Sequence, residues 1–457
     1  MTDLEGVARV LISRGESLPR ITEELARQVM LHKDIPAELA EEFAGAVLSE
    51  VKNTQKLPEH PVMREILRTP ISNVTMSAMG VGCRGEGDLF VHRLIGEMAV
   101  LEGSGAVLGP MSLDDAGVVM SEGGRLLAVA VDGTHSRLSG FPFLAGFHVA
   151  RAALRDLYVK GVKPLAMFDD VHVADDGDVG KIFDFLAGVT TVSMLTRVPL
   201  VAGSTLRVGG DMVLGDRMVS CVGAVGLLGD ESRLKARRNI RPGDVAVMTE
   251  GAGGGTVATT AIYSGNPDDA VETLNVKFIQ ACQWLMGSEC FRGVHAMMDV
   301  TNGGLRGDAW TLCRESGVGI LFEEEKILAL INPRIRAMLH ALFIDPLGLS
   351  LDSLLIFASE STVAEILDGL RSIDIKADIV GRVVSDPPRP RIQRSTGVEE
   401  FMPKFRESAY TLIKKLVGEE KPADAAVREN LVRTAFVEAV KKRDATLRYI
   451  LNASGNM

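Results

Sequence analysis

The chain has 457 residues, 46% hydrophobic and 24% charged, and a net charge of −10. This length is too great for one hydrophobic core and predicts two domains with extensions. The acidic balance excludes nucleic acid and anionic membrane as main partners, and no apolar run reaches the roughly 18 residues of a membrane helix. No basic–apolar signal sequence is visible, so a cytoplasmic protein is expected.

Residues 1–70 read as helices. Ile21, Leu25 and Val29 form one apolar stripe, and Leu39, Phe43, Val47 and Val51 form the next. Pro19 and Pro36 mark helix starts. Residues 71–87 (ISNVTMSAMGVGCRGEG) read as a glycine-rich loop, followed by a helix over 88–102 with Phe90, Leu94 and Met98 on one face. From about 106 to 228, β-branched runs (GVVM, RLLAVAVD, MVSCVGAVGLL) alternate with helical stretches. RRNIRPGD is a junction, and VAVMTEG opens a second unit. That unit continues through a helix near 268–286, the strand HAMMDV, a helix over 305–316 and a strand-rich end near IKADIVGRVV. Beyond Pro387, Pro388 and Pro390 the chain turns helical again, with Val427, Leu431, Ala435, Phe436 and Val440 on one face of a last helix. The expected divisions are 1–87, a helical extension and loop; 88–230, a first domain; 231–395, a second domain; and 396–457, a helical extension.

Four acidic stations stand in glycine-rich surroundings: Asp114-Asp115, Asp132, Asp156 and Asp299. Any one of these alone reads as a cap or turn residue; the ordered set reads as a site. Two carboxylates about 4 Å apart repel by roughly 4 kcal/mol at an effective dielectric of 20. Gathered together, they need a cation or must keep protons. Oxygen ligands of this kind favour Mg²⁺ shared with substrate phosphates, with Asp115, Asp132, Asp156 and Asp299 as metal candidates and Asp114 beside the nucleotide. Removing one carboxylate eases the repulsion, so Asp132→Asn and Asp299→Asn are both expected to hold or raise stability while losing metal-dependent nucleotide binding. Gly133, Thr134 and His135 follow Asp132. Thr134 is a candidate phosphate contact and His135 a candidate acid/base, with a surface histidine as the plainer reading. GAGGGT (251–256) offers Gly253 and Gly254 as a phosphate cradle at a helix start, or as a tightly packed turn; it lacks the lysine of a P-loop. Gly303 and Gly304 follow Asp299 in the same way. His92, His148 and His172 read as structural. Cys83, Cys221, Cys282, Cys290 and Cys313 show no CxxC spacing and read as free thiols in a reducing compartment. Of these, Cys83 beside Arg84 is either a small buried thiol or a reactive one.

In this order, the motifs over about 88–395 resemble the aminoimidazole-ribonucleotide synthetase-related, or PurM-like, superfamily. The matching residues are Asp114-Asp115-Ala116, the Asp132-Gly133-Thr134 loop, Asp156 with Gly161 and Pro164, Asp299-x-Thr301-x-Gly303-Gly304, and Asp345-Pro346-Leu347-Gly348. The resemblance implies an α+β, two-domain PurM-like architecture: an N-terminal ATP-binding domain whose sheet pairs with that of a second subunit, and a C-terminal α+β domain. It further implies ATP and Mg²⁺ as cofactors, a homodimer, a small-molecule substrate, and phosphorylation or activation of a substrate oxygen. Three positions depart from the family pattern. Arg155 stands where the family has asparagine, and His135 where the purine enzyme has lysine. The chain ends NASGNM, without the cysteine of the hydrogenase-maturation member. A selenophosphate-synthetase-like reaction at Cys83, or a non-catalytic ATP-binding regulatory or assembly protein, are the alternatives; the substrate is not legible.

Overall fold

The computed structural model describes residues 1–301 and 303–453. The last four residues, part of the terminus compared with the hydrogenase-maturation member, lie outside that range. The fold is the two-domain, mixed α+β PurM-like architecture. The first sheet orders its six strands Ala106–Leu108, Gly117–Met120, Leu126–Gly133, Met218–Leu228, Lys163–Val173, Leu200–Arg207. Its neighbours are antiparallel except for the last pair, which is parallel. The second sheet orders its seven strands Val294–Val300, Ser353–Ala358, Val245–Thr249, Ala377–Val384, Gly319–Glu323, Pro390–Arg394, Gly397–Glu400, so it runs past residue 395.

Strand Val245–Thr249 is buried on both faces, and its two-residue period divides it between two cores. Val245 and Val247 join the core shared with the first sheet, while Ala246 and Met248 join the core on the far side. Helix Pro142–Tyr158 runs through the shared core with nearly every residue buried. Its close packing on helix Gly180–Thr196 needs two glycines. A Cβ on Gly146 would stand 2.1 Å from the Phe185 carbonyl oxygen, and one on Gly188 2.1 Å from that of Phe143.

The N-terminal helices Leu4–Ser13, Leu18–His32 and Ala37–Thr54 enclose a small core of their own, closed by Leu214. Ile21, Leu25 and Val29 are buried as the periodicity predicts. In the third helix the buried stripe is Ala40, Ala44, Val47, Leu48 and Val51, and Leu39 is exposed. A strict four-residue spacing drifts about 40° round the helix per step, so Leu39 and Val51 end up on different faces. Residues 71–87 hold a short helix, Met76–Met79, and the next helix, Glu86–Ala99, starts earlier than expected. The last helix, Ala425–Ala453, leaves Val427 and Leu431 of the expected face exposed and half-buries Ala435, Phe436 and Val440.

The first sheet shows an apolar face to solvent. Leu126, Ala128 and Ala130 point into the core, and Val129 and Val131 point out, joined by Val119, Val201 and Val219. Among the described residues neither extension covers it: the N-terminal helices meet strand Val213–Leu214, and the last helix packs on Pro61–Leu67 and Glu86–Ala99.

Candidate functional site

A cavity of about 280 Å³ lies where the two domains meet, and the acidic stations converge on it. Asp114 and Asp115 arrive on the turn before strand Gly117–Met120. Asp132 lies on the inward face of Leu126–Gly133, two residues beyond Ala130, so the period that buries alanines there delivers a carboxylate to the cavity. Helix Pro142–Tyr158 supplies His148, Arg151, Arg155 and Asp156 from its inner side, and strand Val294–Val300 supplies Asp299. Gly254 and Gly255, at the start of helix Gly255–Tyr263, form the opposite wall.

Gly133 and His135 also line the cavity; Thr134, Gly253, Gly303 and Gly304 do not. The Thr134 hydroxyl meets Ser220 Oγ at 2.5 Å on the neighbouring strand. Gly303 and Gly304 have φ of 94° and 62°, and Cβ atoms there would stand 2.4 Å from Arg84 Cβ and 2.3 Å from the Leu347 carbonyl oxygen. Close backbone approach alone therefore accounts for these two glycines.

The carboxylates fall into two electrostatic classes. One class is paired with buried cations. Lys160 Nζ lies 2.5 Å from Asp114 and 3.0 Å from Asp115, and Arg237 lies 2.5 Å from Asp115. Arg155 lies 2.5 Å from Asp299 and also pairs with Asp352, which Arg151 holds as well. Burial pushes Asp115 up, but Arg237 and Lys160 outweigh it and hold the group below its usual range. The other class has no ion-pair partner among the described residues. Burial, with Asp299 and Asp132 nearby, pushes Asp156 well above the usual carboxylate range. Asp132 is raised, mainly by burial against the pull of Arg155 and Arg84. Asp308, on helix Gly304–Ser316, is pushed to about 8 by burial, and its Oδ2 has no hydrogen-bond partner among the described residues. Among the described residues no three His, Cys, Asp or Glu side chains form a cage for a metal ion. Asp132 and Asp156 nonetheless suit a hard cation that takes one or two carboxylates and fills its shell with phosphate and water.

Arg151, Lys160, Arg237, Asp352 and Tyr410 gave no sequence signal, because each finds its partner far along the chain; Asp308 gave none because its burial comes from the fold. Arg155, visible as a departure from the family pattern, is a buried ion-pair residue.

Counting protons fixes the state of His135. Thr259 Oγ1 donates its one proton to the Gly255 carbonyl at 2.7 Å, so it accepts from His135 Nδ1 at 3.0 Å. His135 Nε2 is then an acceptor, and the Tyr410 hydroxyl donates to it at 2.5 Å. Burial, then Lys414 and Arg137, push His135 down to about 4. It is neutral at pH 7 and a weak base. The unfolded chain takes this proton near pH 6.5 and the folded one near pH 4, so stability present above pH 6.5 is lost as pH falls towards 4, by up to about 1.4 kcal/mol per pH unit. His135→Gln should flatten the fall in urea midpoint between pH 7 and pH 5 relative to wild type; an unchanged slope would show that His135 is not a cause.

Family models described as AIR synthase related protein, N-terminal domain, and AIR synthase related protein, C-terminal domain, match residues 113–228 and 241–391. The chain is 48% identical to an uncharacterized protein of Methanocaldococcus jannaschii over 97% of both chains. It is 25% identical to the thiamine-monophosphate kinase of Pyrococcus horikoshii, covering 53% of this chain and 72% of that one. It is 26% identical to the carbamoyl dehydratase HypE of Rhodobacter capsulatus, covering 62% and 83%. The fold matches a solved structure of hydrogenase maturation protein HypE in complex with ATP, with a TM-score of 0.53 and 18% identity over 64% of this chain and 88% of that one.

Proposed function

The chain belongs to the AIR synthase related protein family, and on that premise we propose that it is an ATP- and Mg²⁺-dependent enzyme that phosphorylates or activates an oxygen of a small substrate. The observation that carries this reading is the convergence of Asp114, Asp115, Asp132, Asp156 and Asp299 on one cavity, opposite the amides that open helix Gly255–Tyr263. Relatives include a thiamine-monophosphate kinase and a selenide, water dikinase, which supports a phosphoryl-transfer class.

Asp132 and Asp156 would hold the metal, with Asp299 and Asp115 beside them. Mg²⁺ bound there would offset phosphate charge. The first amides of helix Gly255–Tyr263, which lack intrahelical acceptors, would receive phosphate oxygens. Lys160, Arg237 and Arg155 fix the remaining carboxylates in place, so little reorganisation is needed when charge moves. His135 Nε2 accepts a hydrogen bond from the Tyr410 hydroxyl and acts in positioning, since it is too weak a base to take a substrate proton at pH 7.

ATP with Mg²⁺ should raise the melting temperature by mass action, with a stabilisation near 2.7 kcal/mol at about 100 times the dissociation constant. No shift with ATP, ADP or GTP, with either Mg²⁺ or Mn²⁺, would remove the nucleotide reading.

A non-catalytic ATP-binding role is favoured by one observation: Lys160, Arg237, Arg155 and Arg151 already neutralise Asp114, Asp115, Asp299 and Asp352. ATP binding without turnover on any substrate would support it. The selenophosphate-type alternative has less behind it. Cys83 Sγ lies 3.9 Å from Lys414 Nζ and does not line the cavity.

The exposed apolar face of the first sheet supports a homodimer built on it. Light scattering at micromolar concentration should give twice the chain mass, and Val129→Asp, in the middle of its strand on that face, should halve it. A monomeric wild type would rule out this assembly.

A further inference from the structure

His148 is 7% exposed and lines the cavity on the side of helix Gly255–Tyr263. Its Nδ1 would stand 4.0 Å from a Cβ on Gly254, so it lies beside the residue at which this helix opens. Thr273 Oγ1 donates its one proton to the Ala270 carbonyl at 2.7 Å. Towards His148 Nε2, 3.2 Å away, Thr273 can therefore only accept, and Nε2 carries the ring proton. Nδ1 is thus a bare lone pair, and among the described residues it has no hydrogen-bond partner. Burial, then Arg151 and Arg155, hold His148 well below its ordinary range, so the lone pair persists at neutral pH.

This end of the cavity combines two demands. The helix amides donate and call for an anion. The His148 lone pair accepts, and repels any anion that brings no proton. Most oxyanions meet only the first demand. Sulfate has no proton at neutral pH, and a phosphate monoester loses its second near pH 6, at about the second pKa. Orthophosphate keeps one hydroxyl through the neutral range and meets both.

We propose that the His148–Gly254–Thr256 end of the cavity is an orthophosphate site, in which the P–OH donates to His148 Nδ1 and the remaining oxygens accept from the helix amides. The inference rests on reading the cavity as a phosphate-handling site, and it adds that free orthophosphate binds there. His148 is the residue that separates orthophosphate from its esters and from sulfate.

The test is thermal-shift titration of the full chain at pH 8 and fixed ionic strength, without Mg²⁺, using sodium phosphate, sodium sulfate and methyl phosphate. Wild type should bind orthophosphate about tenfold more tightly than either other anion, the worth of one hydrogen bond gained and one repulsion avoided. His148→Phe should remove the preference while keeping sulfate binding. His148→Gln, whose amide reaches the Nε2 position, should also remove it and covers the case in which the phenylalanine variant does not fold. His148→Asn, whose amide stands near the Nδ1 position, should retain it. Equal binding of orthophosphate and sulfate by wild type, a preference undiminished in both His148→Phe and His148→Gln, or no binding of any of the three anions would overturn the proposal. Tighter methyl phosphate than orthophosphate would assign the site to an ester instead and overturn it as well. The ATP·Mg²⁺ titration is read separately: a nucleotide shift without anion discrimination removes only the orthophosphate site, and the converse removes only the nucleotide reading.

Discussion

Lys160→Met is expected to destabilise the protein by about 3–5 kcal/mol, the range found when one partner of a buried ion pair is removed. Lys160 is 0% exposed. Its ammonium holds Asp114 at 2.5 Å and Asp115 at 3.0 Å, and donates to the Met297 carbonyl oxygen at 2.9 Å. The lysine therefore ties the turn of the first domain to the strand of the second that carries Asp299. Without it, two adjacent buried carboxylates are left to Arg237 alone, and one or both must take up protons. Urea unfolding measures this directly, with Lys163→Met on the exposed surface as the control, expected within about 0.5 kcal/mol of wild type. A loss below about 1 kcal/mol for Lys160→Met would mean that water reaches the pair and screens it.

Asp132→Asn and Asp299→Asn should move stability in opposite directions, although sequence reasoning places them in one class. Asp132 has a raised pKa from burial and the nearby Asp299 charge, so its folded form holds a proton more readily than the unfolded chain does. Stability is then greatest below the ordinary carboxylate pKa and declines as pH rises through the raised value. Asparagine removes that decline, and the variant should match or exceed wild type at pH 7. Asp299 is raised by burial too, yet its side chain is the partner of Arg155 at 2.5 Å. Neutralising it leaves a buried guanidinium with Asp352 alone, which Arg151 already shares. A loss of about 3 kcal/mol is expected. Both variants should lose Mg²⁺-dependent stabilisation by ATP. If Asp299→Asn is as stable as wild type, the Arg155 contact is not an ion pair in solution. If Asp132→Asn keeps full Mg²⁺-dependent binding, Asp132 is no ligand.

The same contrast separates what can be read along the chain from what cannot. Apolar periodicity located the helices of the N-terminal core, through Ile21, Leu25 and Val29, because a helix face repeats locally. The two-residue period of a strand puts Asp132 on the face of Ala128 and Ala130 by the same local rule, but that this face is the inward one comes from the fold. The ordered motifs identified the family and its two-domain fold, and five of the six aspartates of those motifs line one cavity, with Asp345 outside it. Local rules failed wherever a side chain's role depends on a distant partner. His148 reads as an ordinary core histidine within its helix. Only Thr273, 125 residues away, fixes its tautomer and leaves a lone pair facing Gly254. Arg155 reads as a departure from a motif; across 144 residues it becomes the counter-ion of Asp299. Sequence spacing determines which face a residue occupies, since backbone geometry is local. The charge and proton a buried group carries are set by its nearest neighbours in space, because in a low-dielectric interior those few contacts outweigh everything water would supply, and only the tertiary structure brings them together.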